Sequence, residues 1–254
     1  MINPSLPHSV DKLPFLDKFI FFESINSTNS FAKTIKTLPD DKLLVIQSAK
    51  QTCGRGRNSK QFFSDSEGGL WVSIVAPVPD ISTHFIHNRA ISVAICQSIQ
   101  KHCPEFPVRI KWPNDIYING KKTAGILLES TPFSPKHIII GFGINVNIGM
   151  NKFPPELRNI ATSTLHEMKK EIAPEVMLED ILTKYNYFCS ITEEQVHHLY
   201  TSHLYRIGST VQISGICGIF ETVREDGQIR IVTAQGVKHL NSGTLLFRDV
   251  NHEN

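Results

Sequence analysis

The chain has 254 residues, 41% hydrophobic and 20% charged, with a formal net charge of +2. That length accommodates one large unit and a small one, and the composition is that of a globular protein able to bury a core. The near-neutral charge argues against dominant non-specific nucleic-acid binding, and no apolar run approaches the roughly 18 to 20 residues that span a bilayer. The five cysteines form no Cys-x-x-Cys pair, so neither a zinc site nor a disulfide framework is indicated. Cys53 is expected in an exposed loop, and Cys96, Cys103, Cys189 and Cys217 as buried small apolar residues. The first fifteen residues lack the basic start and apolar run of a signal peptide, so a cytoplasmic protein is expected.

In chain order, "FIFF" (19–22) reads as a strand. "SINSTNSFAKTIK" reads as a helix start, with Ser27 or Thr28 as cap and Phe31, Ala32 and Ile35 on one face. "LLVIQS" (43–48) is a strand, followed by the loop "QTCGRGRNSKQFF" (51–63), then a strand at 70–76. Residues 83–103 carry Phe85, Ile86, Ala90, Val93, Ala94, Gln97 and Ile99 at helical spacing, and Pro104 ends that helix. Strands follow at 108–112, 125–130 and 137–147, with a tight hairpin at Asn119-Gly120. An amphipathic helix covers 176–191. From 205 the texture changes to short strands at 209–214, 218–223, 228–232 and 244–247, separated by glycine or by Asp226-Gly227, which predicts a small barrel. The boundary is placed near Leu204, giving units 1–204 (core 20–190) and 205–254.

Three stretches could carry chemistry. In Gly54-Arg55-Gly56-Arg57 the glycines allow close backbone approach, and the guanidinium groups can grip phosphate oxygens in pairs. In "RIKWPNDIYINGKKTAGILLE", Lys111, Asp115 and Lys122 flank strands that otherwise look buried, where an isolated charge needs a partner or a ligand; a solvated surface hairpin is the bland alternative. In "GFGINVN", Gly141 and Gly143 permit close approach, and Asn145 and Asn147 offer paired amide donors and acceptors, although the same pattern suits a β-bulge. Trp71 reads as a core aromatic or as part of a pocket strand.

Together, "ESINSTN" (23–29), "QTCGRGR" (51–57), "GGLWVS" (68–73), "KWPNDIYINGKKTAGILLE" (111–129) and "GFGINVN" (141–147) resemble the biotin–protein ligases. The resemblance is strong over about 20–150 and weaker in the C-terminal part. It implies an α+β fold: a class II aminoacyl-tRNA-synthetase-like mixed sheet flanked by helices, with a small SH3-like C-terminal barrel. It implies an enzyme using biotin, ATP and Mg2+, which makes biotinyl-5′-AMP and passes biotin to a lysine of a biotin carboxyl carrier protein of acetyl-CoA carboxylase. By the same resemblance, Ser27, Thr28, Asn29, Gln51, Arg55, Gly56, Arg57, Lys122 and Gly125 contact biotin. Arg55, Arg57, Phe62, Lys111, Asn114, Lys122 and Asn145 contact ATP or the adenylate, and Lys111, Asp115, Lys122 and Arg55 carry the chemistry, with Asp115 orienting or deprotonating the incoming lysine. No protein-bound metal site is expected.

Two departures stand out: Phe62 replaces a tryptophan found in many bacterial members, and Asn58 replaces a basic residue. Some members carry a DNA-binding helix-turn-helix module of roughly 45 residues or more. Here the Ser27 motif begins after 26 residues, so no repressor function is expected. A homodimer is possible. The competing readings are a lipoate or octanoate ligase of the same fold, which would need a long apolar channel rather than polar groups, a biotin-binding protein without activity, and a nucleic-acid binder using the Arg-Gly-Arg loop.

Overall fold

A computed structural model describes residues 9–80 and 83–248. The start of the N-terminal stretch read for a leader (1–8) and the end of the expected C-terminal unit (249–254) lie outside the described residues. The larger unit is built on a seven-stranded sheet: β1 (Leu16–Phe22), β2 (Leu43–Ser48), β3 (Leu70–Pro77), β4 (Val108–Lys111), β5 (Asp115–Ile118), β6 (Lys121–Thr131) and β7 (Ser134–Ile144). The spatial order is β1-β2-β3-β7-β6-β5-β4. β1 and β2 run parallel and every other pairing is antiparallel, so the sheet is mixed.

β2, β3 and most of β7 are buried along their length because both faces of the sheet are covered, which is why they read as continuous apolar runs rather than alternating ones. On one face lie the helices α2 (His84–His102), α4 (Pro174–Ser190) and α5 (Glu193–Ser202), whose Ile91, Ile95, Leu178, Ile181 and Tyr185 join Val72, Ile74, Ile140 and Ile144 of the strands in the main core. The opposite face carries a smaller core under the short α1 (Thr28–Ala32) and the segment after it, where Ala32, Leu44, Ile46, Val75 and Ile139 meet. α3 (Thr164–Met168) follows β7.

The hairpin at Asn119-Gly120 is present: both residues have positive φ, 49° and 77°, and it joins β5 to β6. Ser27 is the cap of α1, accepting from Ser30 N. Two of the cysteine expectations are corrected. Cys96 and Cys103 are buried and Cys53 is exposed, but Cys189 and Cys217 are exposed as well. Cys189 lies in the last turn of α4 beside other exposed positions, and Cys217 occupies an outward position of a half-exposed strand in the C-terminal part.

The C-terminal part forms an antiparallel five-stranded sheet: β8 (Thr210–Ile213), β9 (Ile216–Val223), β10 (Ile229–Thr233), β11 (Gly236–Leu240) and β12 (Leu246–Phe247), in the order β11-β10-β9-β8-β12. Its inward residues Val211, Ile213, Phe220, Ile229 and Ile231 are continuous with the main core. The Trp112 indole N–H donates to Gly227 O at 3.0 Å, and Ile110 exchanges backbone bonds with His203 O and Tyr205 N, so this unit is fastened to β4 and the turn after it.

Candidate active site

Side chains of a strand alternate between faces. On the face away from the helices, β3 presents Trp71, Ser73 and Val75, β7 presents Ile139, Gly141 and Gly143, and β6 presents Gly125, Leu127 and Glu129. The register aligns them in rows: Trp71–Gly143–Gly125, Ser73–Gly141–Leu127 and Val75–Ile139–Glu129. The glycines make a bare floor. A Cβ on Gly141 would stand 2.2 Å from Asn29 Oδ1, and one on Gly143 would stand 2.5 Å from the Phe62 ring. Asn29 and Phe62 therefore lie directly on the sheet, an approach open only to glycine.

Above this floor is a cleft of about 270 Å³. It is walled by Ser27, Thr28 and Asn29 at the start of α1, by Gln51 and the loop from Arg55 to Phe62, by the turn from Lys111 to Asp115, by Lys122 and Gly125, and by Gly243–Leu245 of the C-terminal unit. Of the expected site residues, all but Asn145 meet here. Asn145 is buried behind the cleft, its amide donating to Thr162 O at 2.9 Å, and Asn147 is bonded to Ile172 at both ends of its amide. The Asn147 amide is thus committed at both ends, and one N–H of Asn145 is committed to Thr162. Trp71 is fully buried with Ile148, Phe153 and Ala161, its indole N–H bonded to Ser66 O, so it packs under the cleft rather than lining it.

One end of the cleft is polar and largely neutral. Gln51 Oε1 accepts from Thr28 N at 2.8 Å and lies 3.1 Å from Thr28 Oγ1. The Ser73 hydroxyl lies 2.7 Å from Thr28 Oγ1 and within hydrogen-bond distance of Asn29 Oδ1. All four residues are buried. The other end is cationic. Lys122 Nζ is 2.6 Å from Asp115 Oδ1 and 5.5 Å from the Phe62 ring centroid. Arg57 Nη1 donates to Asn114 Oδ1 at 3.3 Å, and Asn114 is itself fixed to β6 by bonds in both directions with Ile126.

Lys111 Nζ donates to the Tyr117 hydroxyl at 3.2 Å and sits 5.1 Å from the Tyr117 ring and 5.7 Å from the Phe247 ring of β12. Burial pulls the Lys111 pKa below the usual lysine range, the Asp115 carboxylate opposes this, and the Lys122 charge adds to it. Burial likewise raises the Tyr117 phenol, so that hydroxyl stays protonated. Lys111, Asp115 and Lys122 are thus partly sheltered groups converging on one space, not a solvated hairpin.

The expected set omits several residues that the fold brings in. Ser73 is the small polar residue in the apolar run "LWVSI". Glu129 is the charge ending the run "AGILLE". Gly243–Leu245 come from the other unit and carry no sequence signal.

An anion bearing a polar head fits this arrangement: hydrogen-bonding groups at one end, the three cations Lys111, Lys122 and Arg57 at the other, and an anchored loop between. The family model for the biotin/lipoate A/B protein ligase family matches residues 21–145. The bifunctional ligase/repressor BirA of Bacillus subtilis is 31% identical over 240 residues, covering 89% of this chain and 73% of that protein. Biotin–protein ligase 2 of Arabidopsis thaliana is 31% identical over 216 residues, covering 80% of this chain and 61% of that protein. Among solved structures, the biotin protein ligase from Aquifex aeolicus in complex with biotin and ATP superimposes with a TM-score of 0.78 at 24% identity, covering 92% of this chain and 99% of that one. The chain belongs to the biotin/lipoate A/B protein ligase family.

Proposed function

We propose that the chain is an ATP-dependent biotin–protein ligase, which activates biotin as biotinyl-5′-AMP and transfers it to a carrier lysine with release of AMP. The observation that carries this reading is the convergence of four separated stretches, 27–29, 51–62, 111–125 and 141–143, on one cleft that is polar at one end and cationic at the other. The polar end, with Thr28, Asn29 and Gln51, suits a ureido ring, which offers both donors and an acceptor. It does not suit an alkyl chain, because buried hydrogen-bonding groups facing hydrocarbon would lose their partners. This favours biotin over lipoate or octanoate.

In the first step the biotin carboxylate attacks the α-phosphorus and pyrophosphate leaves. Anion approaches anion, so fixed positive charge must be in place beforehand. Lys111, Lys122 and Arg57 supply it, with Asn114 and Phe62 on the nucleotide side, while Arg55, tied to Glu129 beside Asn29, holds the acid and its adenylate. Mg2+ enters as part of the nucleotide substrate, held by its phosphates. In the second step the carrier lysine attacks the acyl carbon and AMP departs. The attacking amine must be neutral, and Asp115, whose Oδ1 is held by Lys122, is the carboxylate of the cleft placed to take the amine proton. With the glycines as hinges, the loop from 52 to 62 shelters the anhydride from water.

The division between the catalytic and C-terminal units is proposed to lie near Leu204; the isolated bridge between Ile110 and Leu204 supports this reading. The carrier is proposed to be the biotin carboxyl carrier protein of an acetyl-CoA carboxylase and the setting cytoplasmic, with pairing into a homodimer compatible with the fold. No helix among the described residues is long and apolar enough to cross a membrane. The test combines purified chain, biotin, ATP and Mg2+ with and without a carrier domain, reading pyrophosphate and carrier mass, with lipoate and octanoate in parallel. A carrier mass gain equal to biotin, absent with the other acids, is expected. No turnover with any acid would overturn the reading.

A further inference from the structure

Glu129 ends the apolar run of β6 on the cleft face, and no step above uses it. Its carboxylate gathers three groups from two other parts of the chain. Oε2 accepts from Asn29 Nδ2 at 2.9 Å, and Oε1 accepts from Lys33 Nζ at 2.7 Å and from Arg55 Nη2 at 3.0 Å. Asn29 and Lys33 come from α1 and its C-cap, and Arg55 from the Gly-Arg-Gly-Arg loop. The Glu129 side chain is 15% exposed. Burial would raise its pKa, but hydrogen bonds from Lys33 and Asn29 and the charges of Lys33 and Arg55 outweigh this and hold the carboxyl below its usual range.

Two consequences follow from the geometry. An asparagine amide has an acceptor end and a donor end, and Glu129 accepts only at the donor end while the Ser73 hydroxyl sits at the acceptor end. The orientation of Asn29, which lies flat on Gly141, is therefore set. Lys33 and Arg55 are also two cations sharing one anion. Without that anion they repel one another, and Arg55 loses its only ion pair to the sheet among the described residues.

We propose that Glu129 is a positioning residue: a single carboxylate that fixes the Asn29 amide and holds the arginine loop against β6, and so governs affinity for the acid substrate rather than the rate of the chemical step. The substrate half of this statement rests on the biotin reading, and the loop half does not. The Arg55 guanidinium is tied through Nη2 alone, so its remaining N–H groups are available to a ligand while the loop is held.

The test uses Glu129→Gln in the full chain, which keeps size and an acceptor for Asn29 but removes the charge. In the unliganded protein, amide hydrogen exchange over 53–62 is expected to speed up by roughly three- to ten-fold, with β6 and β7 unchanged, since a partly exposed ion pair contributes little more than that. In biotin-dependent pyrophosphate release, KM for biotin is expected to rise about five- to ten-fold while kcat stays within about two-fold, the signature of lost uniform binding. Glu129→Asp keeps the charge with a shorter reach and should fall between; it carries the test if the glutamine variant fails to fold. Unchanged loop exchange in both variants overturns the proposal, as does a fall in kcat with KM unmoved. A wild-type chain that adenylates no acid would defeat the biotin reading, and the exchange measurement would still decide the role of Glu129.

Discussion

Trp71, Ser73, Gly125, Gly141 and Gly143 stand on strands covered on both faces, each held by hydrogen bonds to neighbouring strands. Arg55 and Arg57 stand on a loop whose own bonds are few: Gly56 N to Lys60 O, Lys60 N to Arg57 O and Phe62 N to Gly54 O. The floor supplies shape and the loop supplies charge. The difference teaches that the two tolerate change differently. A shape defect in the floor is paid by the whole fold, whereas a charge defect in the loop is local, since local opening there costs less than global unfolding.

Four measurements would break or sharpen that contrast. The largest effect belongs to the floor: Trp71→Ala should lower stability by about 3–5 kcal/mol by opening a cavity against Ile148 and Phe153, read from thermal or denaturant melts. A loss below about 1 kcal/mol would mean the floor repacks freely.

Next is the helical layer behind it. His87 is buried against the Tyr185 hydroxyl at 2.7 Å, and burial lowers its pKa to about 4. Above pH 6.5 it is neutral both folded and unfolded, so there is no effect. Between 6.5 and about 4 only the unfolded chain takes up the proton, so stability falls as pH falls, by about 3 kcal/mol at full extent. His87→Gln should flatten that part of the stability–pH curve; an unaltered slope would assign the acid sensitivity elsewhere.

Third, Lys122→Ala should slow adenylate formation by about 100-fold or more, because its ammonium is fixed beside the reacting groups. A variant keeping most of the wild-type pyrophosphate burst would remove Lys122 from the chemistry. The smallest effect is on the loop: Arg55→Ala should weaken retention of biotinyl-adenylate about ten-fold and ATP binding less than about two-fold, with the melting temperature unmoved. Equal losses for both ligands would make the loop merely structural and erase the contrast.

Much of the framework around the floor was legible in the sequence. β2 matches the expected 43–48, and α2 and α4 lie within two residues of their expected ends, because apolar periodicity and Pro104 mark them directly. β11 was not legible: residues Gly236–Val237–Lys238–His239 are all exposed, so no inside–outside alternation marks the strand. α5 was missed because its buried side is narrow, Val196 and Tyr200 amid polar residues, although Thr192 and Gln195 form a capping box. In the site, the glycines and cations could be read from type and spacing. Asn145 could not be placed, since an amide that serves a ligand and one that serves a backbone carbonyl look alike in sequence. Glu129 acts through partners 74, 96 and 100 residues away, a relation only the fold creates.

The backbone bonds between Ile110 and the segment 203–205 have a consequence for how the molecule can be divided. β4 is an outer strand of the large sheet, and these bonds occupy both backbone groups of its third residue, Ile110. A chain cut before residue 203 would bare a strand edge together with the apolar surfaces of Trp112 and Ile110, the combination that templates intermolecular strand pairing. The small C-terminal unit thus also serves as the seam guard of the larger one, and shortened versions of this protein should be sticky.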